Sequence, residues 1–200
     1  AYDSLIISLG AEYEAHPLAF NPYNLDEALQ LQVELEHFKQ GHIVVFVSSL
    51  PFTGAIAPYE IALLLDAYFQ QRRLRSNVQI SLVTPERRLF AFANPKVSVK
   101  AAGLLIKRNI NLFTDNSVKS LSKAGRLALD KTEIKGDLFV NIPHHSAPTP
   151  FRDSPIAGPE GWLKVNPHTL ETCYPDVYAI GDAAGITTPT GDWIPKVGFF

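Results

Sequence analysis

The stretch that decides the fold is Asp176–Gly185, which reads DVYAIGDAAG. Its residues Val177–Ile180 are typical of a short buried strand, which Gly181 and Asp182 end. In open α/β sheets, ligands bind at the carboxyl ends of the strands. A carboxylate at such an end, beside a glycine that allows close approach, can accept hydrogen bonds from a sugar-like hydroxyl. An ordinary turn in which Asp182 caps the next segment explains a bare Gly-Asp pair equally well.

The composition indicates a globular protein. Of the 200 residues, 46% are hydrophobic and 19% are charged, which argues against disorder. The formal net charge of −2 predicts no strong attraction to nucleic acid. The longest apolar runs, 43–47 and 61–65, are too short to span a bilayer, and no secretory signal is visible. The single cysteine, Cys173, cannot form an internal disulfide and fits a reducing, cytoplasmic compartment.

Three apolar runs in the middle of the chain are typical of parallel strands. Residues 43–48 read IVVFVS, a β-branched run that fits a strand buried on both faces. Similar runs follow at 78–83 and 110–113, and each of these two runs is preceded by a helical pattern that opens at a proline. This alternation of strand and helix predicts a Rossmann-like half.

Apolar spacing predicts the helices and their buried faces. The first helix extends from about residue 25 to residue 40, with Asn24 as its N-cap and Gly41 as its stop. Pro58 and Pro95 open the second and third helices, and Asn94 caps the third. The residues predicted to face the core are Ala28, Leu31, Leu35 and Phe38 in the first helix, Ile61, Leu64, Leu65 and Tyr68 in the second, and Val97, Ala101, Leu104 and Leu105 in the third.

The pattern changes after residue 114. Short strands at 118–121, 126–129 and 137–142 are separated by polar turns at 124–125 and 131–133, which predicts an antiparallel meander closed by residues 138–140. The predicted fold is therefore α/β: a three-layer Rossmann-like domain at 41–142, with a mostly parallel sheet plus the meander, flanked by segments 1–40 and 143–200 of a second, incomplete domain. The chain also begins without a methionine and stops just after a structured-looking run, so we expect a piece of a longer protein.

The turn after the first strand of the middle domain argues against tight NAD(P)H binding. A dinucleotide-binding turn uses glycines, so that backbone N–H groups can face the pyrophosphate. Here residues 48–60 read SSLPFTGAIAPYE, in which Pro51 and Phe52 are bulky and Pro58 lacks an amide hydrogen. Glu86, after the second strand, could bind a ribose or could be a solvated turn residue.

Residues 169–182, TLETCYPDVYAIGD, resemble the second FAD-binding motif of the pyridine nucleotide–disulfide oxidoreductase superfamily. Residues 2–11, YDSLIISLGA, resemble the segment that ends the first half of its FAD domain. The resemblance implies that FAD is the cofactor, with its site incomplete in this chain. It implies that Asp182 holds the ribityl chain, that Gly181 allows close approach, and that Gly10 lets the backbone approach the adenosine side.

A narrower resemblance is to the sulfide:quinone oxidoreductase branch. It is carried by PFTGAIAPYE at 51–60, IALLLDAYF at 61–69 and TPTGDWIPKVGFF at 188–200. The resemblance implies that Pro195, Lys196 and Gly198 line the flavin ring. It also implies a small-molecule electron donor and an acceptor such as a quinone, and it leaves open a homodimer and peripheral contact with the inner membrane. Lys196 could stabilise negative charge on the ring or be an ordinary surface lysine.

One departure from the pattern of this branch concerns the electron donor. Many members of this branch carry a redox cysteine where this chain has Gly54, so sulfur transfer through a persulfide cannot run in the usual way. Cys173, in a turn before Tyr174 and Pro175, is a poor substitute, and the catalytic residues are unknown. Two alternatives stay open: an NAD(P)H-dependent flavoprotein like the type II NADH dehydrogenases, and a redox-inactive Rossmann-like interaction domain.

The histidines do not indicate a metal site. His144 and His145 are adjacent, so on one strand they would point to opposite faces and could not form a chelating pair. A hydrolase triad of Ser146, His144 and Asp182 would lack the G-x-S-x-G elbow.

Overall fold

The computed structural model describes residues 2–158, 160–187 and 196. In chain order its strands are β1 (Leu5–Ile7), β2 (Glu12–Tyr13), β3 (Gly41–Val47), β4 (Val78–Val83), β5 (Ile110–Phe113), β6 (Val118–Leu121), β7 (Arg126–Leu129), β8 (Glu133–Lys135), β9 (Leu138–Ile142), β10 (His145–Ser146), β11 (Leu163–Lys164), β12 (Val177–Ala179) and β13 (Ala184–Gly185). Its helices are α1 (Leu25–His37), α2 (Ala57–Gln71), α3 (Pro95–Lys107) and α4 (Thr149–Arg152).

The chain divides into two compact units. The larger unit contains Ala15–Leu50 and Ile56–His144, and the smaller unit contains Ala1–Glu14, Pro51–Ala55 and His145–Phe200. The larger unit thus extends beyond the predicted middle domain at 41–142 to include α1. The domain bounds within the whole protein stay a prediction.

A four-stranded parallel sheet, in the order β5-β4-β3-β9, organises the larger unit. Residues 43–47 of β3 are completely buried, as expected for a strand covered on both faces. The prediction that residues 138–140 close the meander is wrong. All five residues of β9 are buried, and β9 runs parallel to β3, with Val45 opposite Val140. The mostly apolar character of β9, in which Asn141 is the one polar residue, suits the sheet interior better than a half-exposed meander.

The antiparallel meander consists of β6, β7 and β8. Its last strand covers part of the stretch predicted as a turn, and Ile134 there lies opposite Leu127. Both side chains are buried in a cluster with Val44 and Phe139. Ile134, between the exposed Glu133 and Lys135, therefore packs this strand against the core.

The predicted buried faces of α2 and α3 are partly wrong. In α2, Leu65 is buried, but Leu64 is 61% exposed and Asp66 is buried instead. Asp66 is stabilised there by Arg75 at 2.6 Å and Arg108 at 3.2 Å. In α3 the buried residues are Ser98 and Leu105, while Val97 and Leu104 are exposed. A paired carboxylate and a small hydroxyl are thus among the buried side chains of these helices, and apolar spacing does not indicate either.

The first helix is capped as predicted but ends earlier. Asn24 accepts a hydrogen bond from the Glu27 N–H at 3.1 Å, which confirms the N-cap. The helix ends at His37, so Gly41 is not its stop. Instead Gly41, with φ of +130°, opens β3 at a point where a Cβ atom would lie 2.7 Å from Asp137 Oδ2.

The smaller unit is built from three short strand pairs. β1 pairs with β12 in parallel, β11 with β13 in parallel, and β2 with β10 antiparallel. Its core includes Ile7, Leu163, Val177 and Ala179. Across the described residues of the whole chain, the helices are too short or too polar to cross a membrane.

Candidate functional site

Two glycine turns follow neighbouring parallel strands of the smaller unit. Ile7 of β1 lies opposite Ala179 of β12, and Ile180 N–H donates to the Ile7 carbonyl at 3.0 Å. Just beyond these strand ends, Gly10 has a φ of +70° and Gly181 a φ of +64°. A Cβ atom at either glycine would meet no other atom within 4 Å. Both turns therefore adopt a conformation that favours glycine and border open space at the carboxyl ends of the strands.

Asp182 follows in a short 3-10 turn, Gly181–Ala183. The N-cap position of this turn is Ile180, which makes no side-chain hydrogen bond, so Asp182 lies inside the turn and does not cap it. The side chain is half-buried, and its carboxylate accepts no hydrogen bond from the described residues. A half-buried carboxylate with spare acceptor capacity is suited to bind hydroxyl groups of a ligand.

Lys196 is bound to this turn and is not a surface residue. It is only 7% exposed, and its Nζ donates to the carbonyl oxygens of Asp182, at 2.9 Å, and Ala184. The same ammonium group lies 3.8 Å from the ring centroid of Trp162. Burial lowers the pKa of Lys196 to about 8, although the charge of Asp182 acts in the opposite direction.

The backbone of Lys196 is paired with the loop that contains Gly54. The Gly54 N–H donates to the Lys196 carbonyl at 2.6 Å, and Thr53 forms a parallel bridge with Lys196. Gly54 has a φ of +64°. The position where the resemblance implies a cysteine is therefore held in a conformation that disfavours one.

The structure brings together three of the predicted cofactor residues, Gly181, Asp182 and Lys196, and places Gly10 at the adjoining strand end. Pro195 and Gly198 lie outside the described residues. All six assignments stay predictions. Trp162, which is buried under Lys196, is a residue of this site that the sequence does not indicate. Trp162 stands in a loop rich in proline and glycine, and the sequence around it does not indicate that a lysine far along the chain will contact its ring.

Glu86 in the larger unit is not a solvated turn residue. It is 8% exposed, and its carboxylate accepts hydrogen bonds from the Tyr59 hydroxyl and, at 3.2 Å, from Thr84 Oγ1. Burial raises the pKa of Glu86, and burial together with the charge of Glu86 raises the pKa of Tyr59. The Phe90 ring lies 4.4 Å from that of Tyr59. The carboxylate that could bind a nucleotide ribose is thus buried and hydrogen-bonded to a residue from the start of α2.

The remaining candidates carry no cluster of reactive groups. His144 is exposed, whereas His145 is buried, with its ring 5.5 Å from that of Tyr13. Ser146 Oγ accepts a hydrogen bond from Arg152 at 2.7 Å, and Cys173 is exposed. Within residues 2–158, 160–187 and 196, no three side chains of the metal-binding types converge.

A parallel sheet alternating with helices, joined in one chain to a second parallel strand pair that ends in glycine turns, defines an α/β protein of the nucleotide-cofactor-binding class. Residues 53–195 match the family model described as "Pyridine nucleotide-disulphide oxidoreductase", and the chain belongs to this family. FAD is the cofactor of the family, as predicted.

The resemblance to the sulfide:quinone oxidoreductase branch is also confirmed. The mitochondrial sulfide:quinone oxidoreductase of Mus musculus is 25% identical over 209 residues, covering 94% of this chain and 46% of that protein. The Schizosaccharomyces pombe enzyme of the same name is 24% identical over 162 residues, covering 77% of this chain and 35% of that protein. The chain therefore spans less than half the length of these curated relatives.

Solved structures agree on the fold. The sulfide:quinone oxidoreductase of Aquifex aeolicus matches 98% of this chain and 50% of its own, with a TM-score of 0.84 at 20% identity. The water-forming NADH oxidase of Lactobacillus brevis, solved with NADH bound, matches 98% of this chain and 42% of its own, with a TM-score of 0.67 at 16% identity.

Proposed function

We propose that this chain is part of an FAD-dependent oxidoreductase of the sulfide:quinone oxidoreductase type. The whole protein would take electrons from a small donor and deliver them to a quinone. FAD, when bound, would supply the two-electron chemistry that links donor and acceptor. The names of the mouse and fission yeast relatives support this donor and acceptor class.

The observation that carries the proposal is the half-buried carboxylate of Asp182 at the end of β12, which accepts no hydrogen bond from the part of the chain that the structure describes. The described residues fit the sugar-alcohol part of FAD. Asp182 would accept hydrogen bonds from ribityl hydroxyls, and Gly10 and Gly181 would allow the cofactor to approach the backbone. Lys196, Pro195 and Gly198 would lie beside the ring system.

The residues at the end of β4 support a donor other than NAD(P)H. The Tyr59 hydroxyl donates a hydrogen bond to the Glu86 carboxylate, and Pro58 lacks the backbone N–H that another residue would provide at the start of α2. Because Gly54 offers no thiolate, sulfide would have to transfer electrons without a persulfide on that residue.

The test is to express the full-length protein and measure its visible absorbance for bound flavin. Replacing Asp182 with Asn should reduce FAD occupancy sharply, because the amide lacks the charged acceptor. Asp176→Asn is the matched control, since Asp176 lies at the other end of the same strand. A colourless full-length protein, or equal FAD affinity in the two variants, would contradict the proposal.

The donor is tested by anaerobic titration of the coloured protein. Sulfide is expected to bleach the flavin absorbance, and NADH is not. Bleaching by NADH at comparable concentrations would instead favour an NADH-dependent flavoprotein.

A further inference from the structure

The contacts of Lys196 are directed inward, toward the chain itself. Its ammonium group has three N–H donors, of which two are used by the carbonyls of Asp182 and Ala184. The group also lies on the face of the Trp162 ring, where a cation is attracted by the ring electrons. We call this arrangement of Lys196, Trp162 and the two carbonyls the lysine cage.

The two carbonyls lie at the centre and just past the end of the turn that presents Asp182. Ala184 also pairs with Leu163, the residue after Trp162, through β13 and β11. One side chain therefore connects the turn to the strand and ring beneath it. Among the described residues the backbone carbonyl of Asp182 is bonded to Lys196, whereas its carboxylate accepts no hydrogen bond.

The backbone of the same residue extends the connection to the loop at 53–54. Through the bond from the Gly54 N–H to its own carbonyl, Lys196 holds this loop and the Asp182 turn at a common point. A single residue thus fixes the relative positions of a backbone site at Gly54 and a carboxylate at Asp182.

We propose that Lys196 is a positioning residue, which sets the geometry of the Asp182 turn from inside the protein and does not act by placing its charge on the flavin. The inference rests on the proposed function only in taking the turn to be a flavin site. It differs from the expectation that Lys196 places its charge on the ring, because two of the three ammonium donors are engaged by carbonyl oxygens of the chain.

The cage itself can be tested without flavin. The tryptophans of this chain are Trp162 and Trp193, so the Trp193→Phe variant reports on Trp162 alone. Its fluorescence is expected to change with a midpoint near pH 8, where the depressed pKa of Lys196 lies. The midpoint should disappear in Lys196→Met and persist in Lys164→Met, whose lysine is exposed on β11. A transition that persists unchanged in Lys196→Met would overturn the proposal, because it could not come from a contact between Lys196 and Trp162.

Positioning is tested by amide hydrogen exchange. Residues 181–185 are expected to exchange about tenfold faster or more in Lys196→Met, because charge-assisted hydrogen bonds to the turn are lost. Lys164→Met should leave their exchange unchanged, and Lys196→Arg should restore part of the protection because it keeps donors near both carbonyls. Unchanged exchange in Lys196→Met would overturn the proposal.

In the full-length flavoprotein, Lys196→Met should weaken FAD binding about tenfold or more while the midpoint potential of the remaining bound flavin stays unchanged. A shifted potential with full FAD affinity would show a charge effect on the ring and overturn the positioning role. Absence of FAD from the parent protein would contradict the proposed function, whereas the fluorescence and exchange results would still decide the role of Lys196.

Discussion

The hydroxyl group of Tyr59, at the start of α2, donates a hydrogen bond to the buried carboxylate of Glu86, which follows β4. Both residues are almost inaccessible to solvent. The pair closes the strand end at which a parallel α/β sheet would present an acceptor to a ribose. Two properties follow, one in the stability of the protein and one in its dependence on pH.

Replacing Tyr59 with Phe should lower the free energy of unfolding by about 1–3 kcal/mol, because a buried acceptor loses its donor while the ring packing remains. The measurement is equilibrium unfolding in urea at pH 7. Tyr178→Phe serves as the control, because Tyr178 has no side-chain hydrogen bond to a described residue. A loss no larger than that of the control would show that the Tyr59 hydrogen bond contributes nothing to stability.

The raised pKa of Glu86 predicts a pH dependence of a definite sign. Just above pH 4.5, the ordinary pKa of a glutamate, Glu86 stays protonated in the folded protein, whereas the unfolded chain has released this proton. The contribution of Glu86 to stability is therefore full below pH 4.5 and is lost as the pH rises through the folded pKa. Glu86→Gln keeps an acceptor for Tyr59 and cannot titrate.

The stability of Glu86→Gln relative to the parent protein should accordingly increase between pH 4.5 and pH 8, as measured by urea midpoints across that range. A difference that stays constant with pH would mean that the pKa of Glu86 is not raised.

His42 should show the opposite dependence. Its Nδ1 lies 2.6 Å from the Lys135 carbonyl and its Nε2 lies 2.7 Å from Ser81 Oγ, an arrangement that the neutral ring satisfies. Burial lowers the pKa of His42 below 6.5, although the Lys135 carbonyl and the Asp137 charge partly oppose this. The unfolded chain therefore binds more protons, and stability falls as the pH drops through 6.5.

His42→Gln should reduce this acid sensitivity between pH 7.5 and pH 5, whereas His168→Gln, at an exposed histidine, should retain it. The readout is the change in urea midpoint between the two pH values. An equal change in both variants would exclude His42 as its source.

The bounds of β4, β5, β6 and β7 match the sequence predictions because each of these segments lies between turn residues. The helix faces could not be predicted equally well. A buried Asp66 depends on Arg75 and Arg108, which lie outside α2, and the apolar pattern of that helix contains no information about them.

The candidate site likewise contains residues that a local sequence pattern identifies and residues that only the folded chain brings together. Gly181 and Asp182 could be identified because they follow a buried run directly, and strand-end position is a local property. The lysine cage could not, because Lys196, Trp162 and Ala184 meet only in the folded chain. From the sequence, Lys196 was equally compatible with a surface position.

The positive φ of Gly54 allows a prediction that tests whether residues other than glycine are strained at this position. Gly54 has a φ of +64°, whereas Gly103 lies within α3, where a Cβ atom would meet no other atom within 4 Å. Gly54→Ala should therefore lower the free energy of unfolding by about 1 kcal/mol. Gly103→Ala should raise it by about the same amount, because alanine favours the helix. Urea unfolding of the two variants beside the parent protein gives both values. Equal stabilisation in both would show that residue 54 relaxes to an ordinary backbone conformation, in which case a cysteine there would also be tolerated.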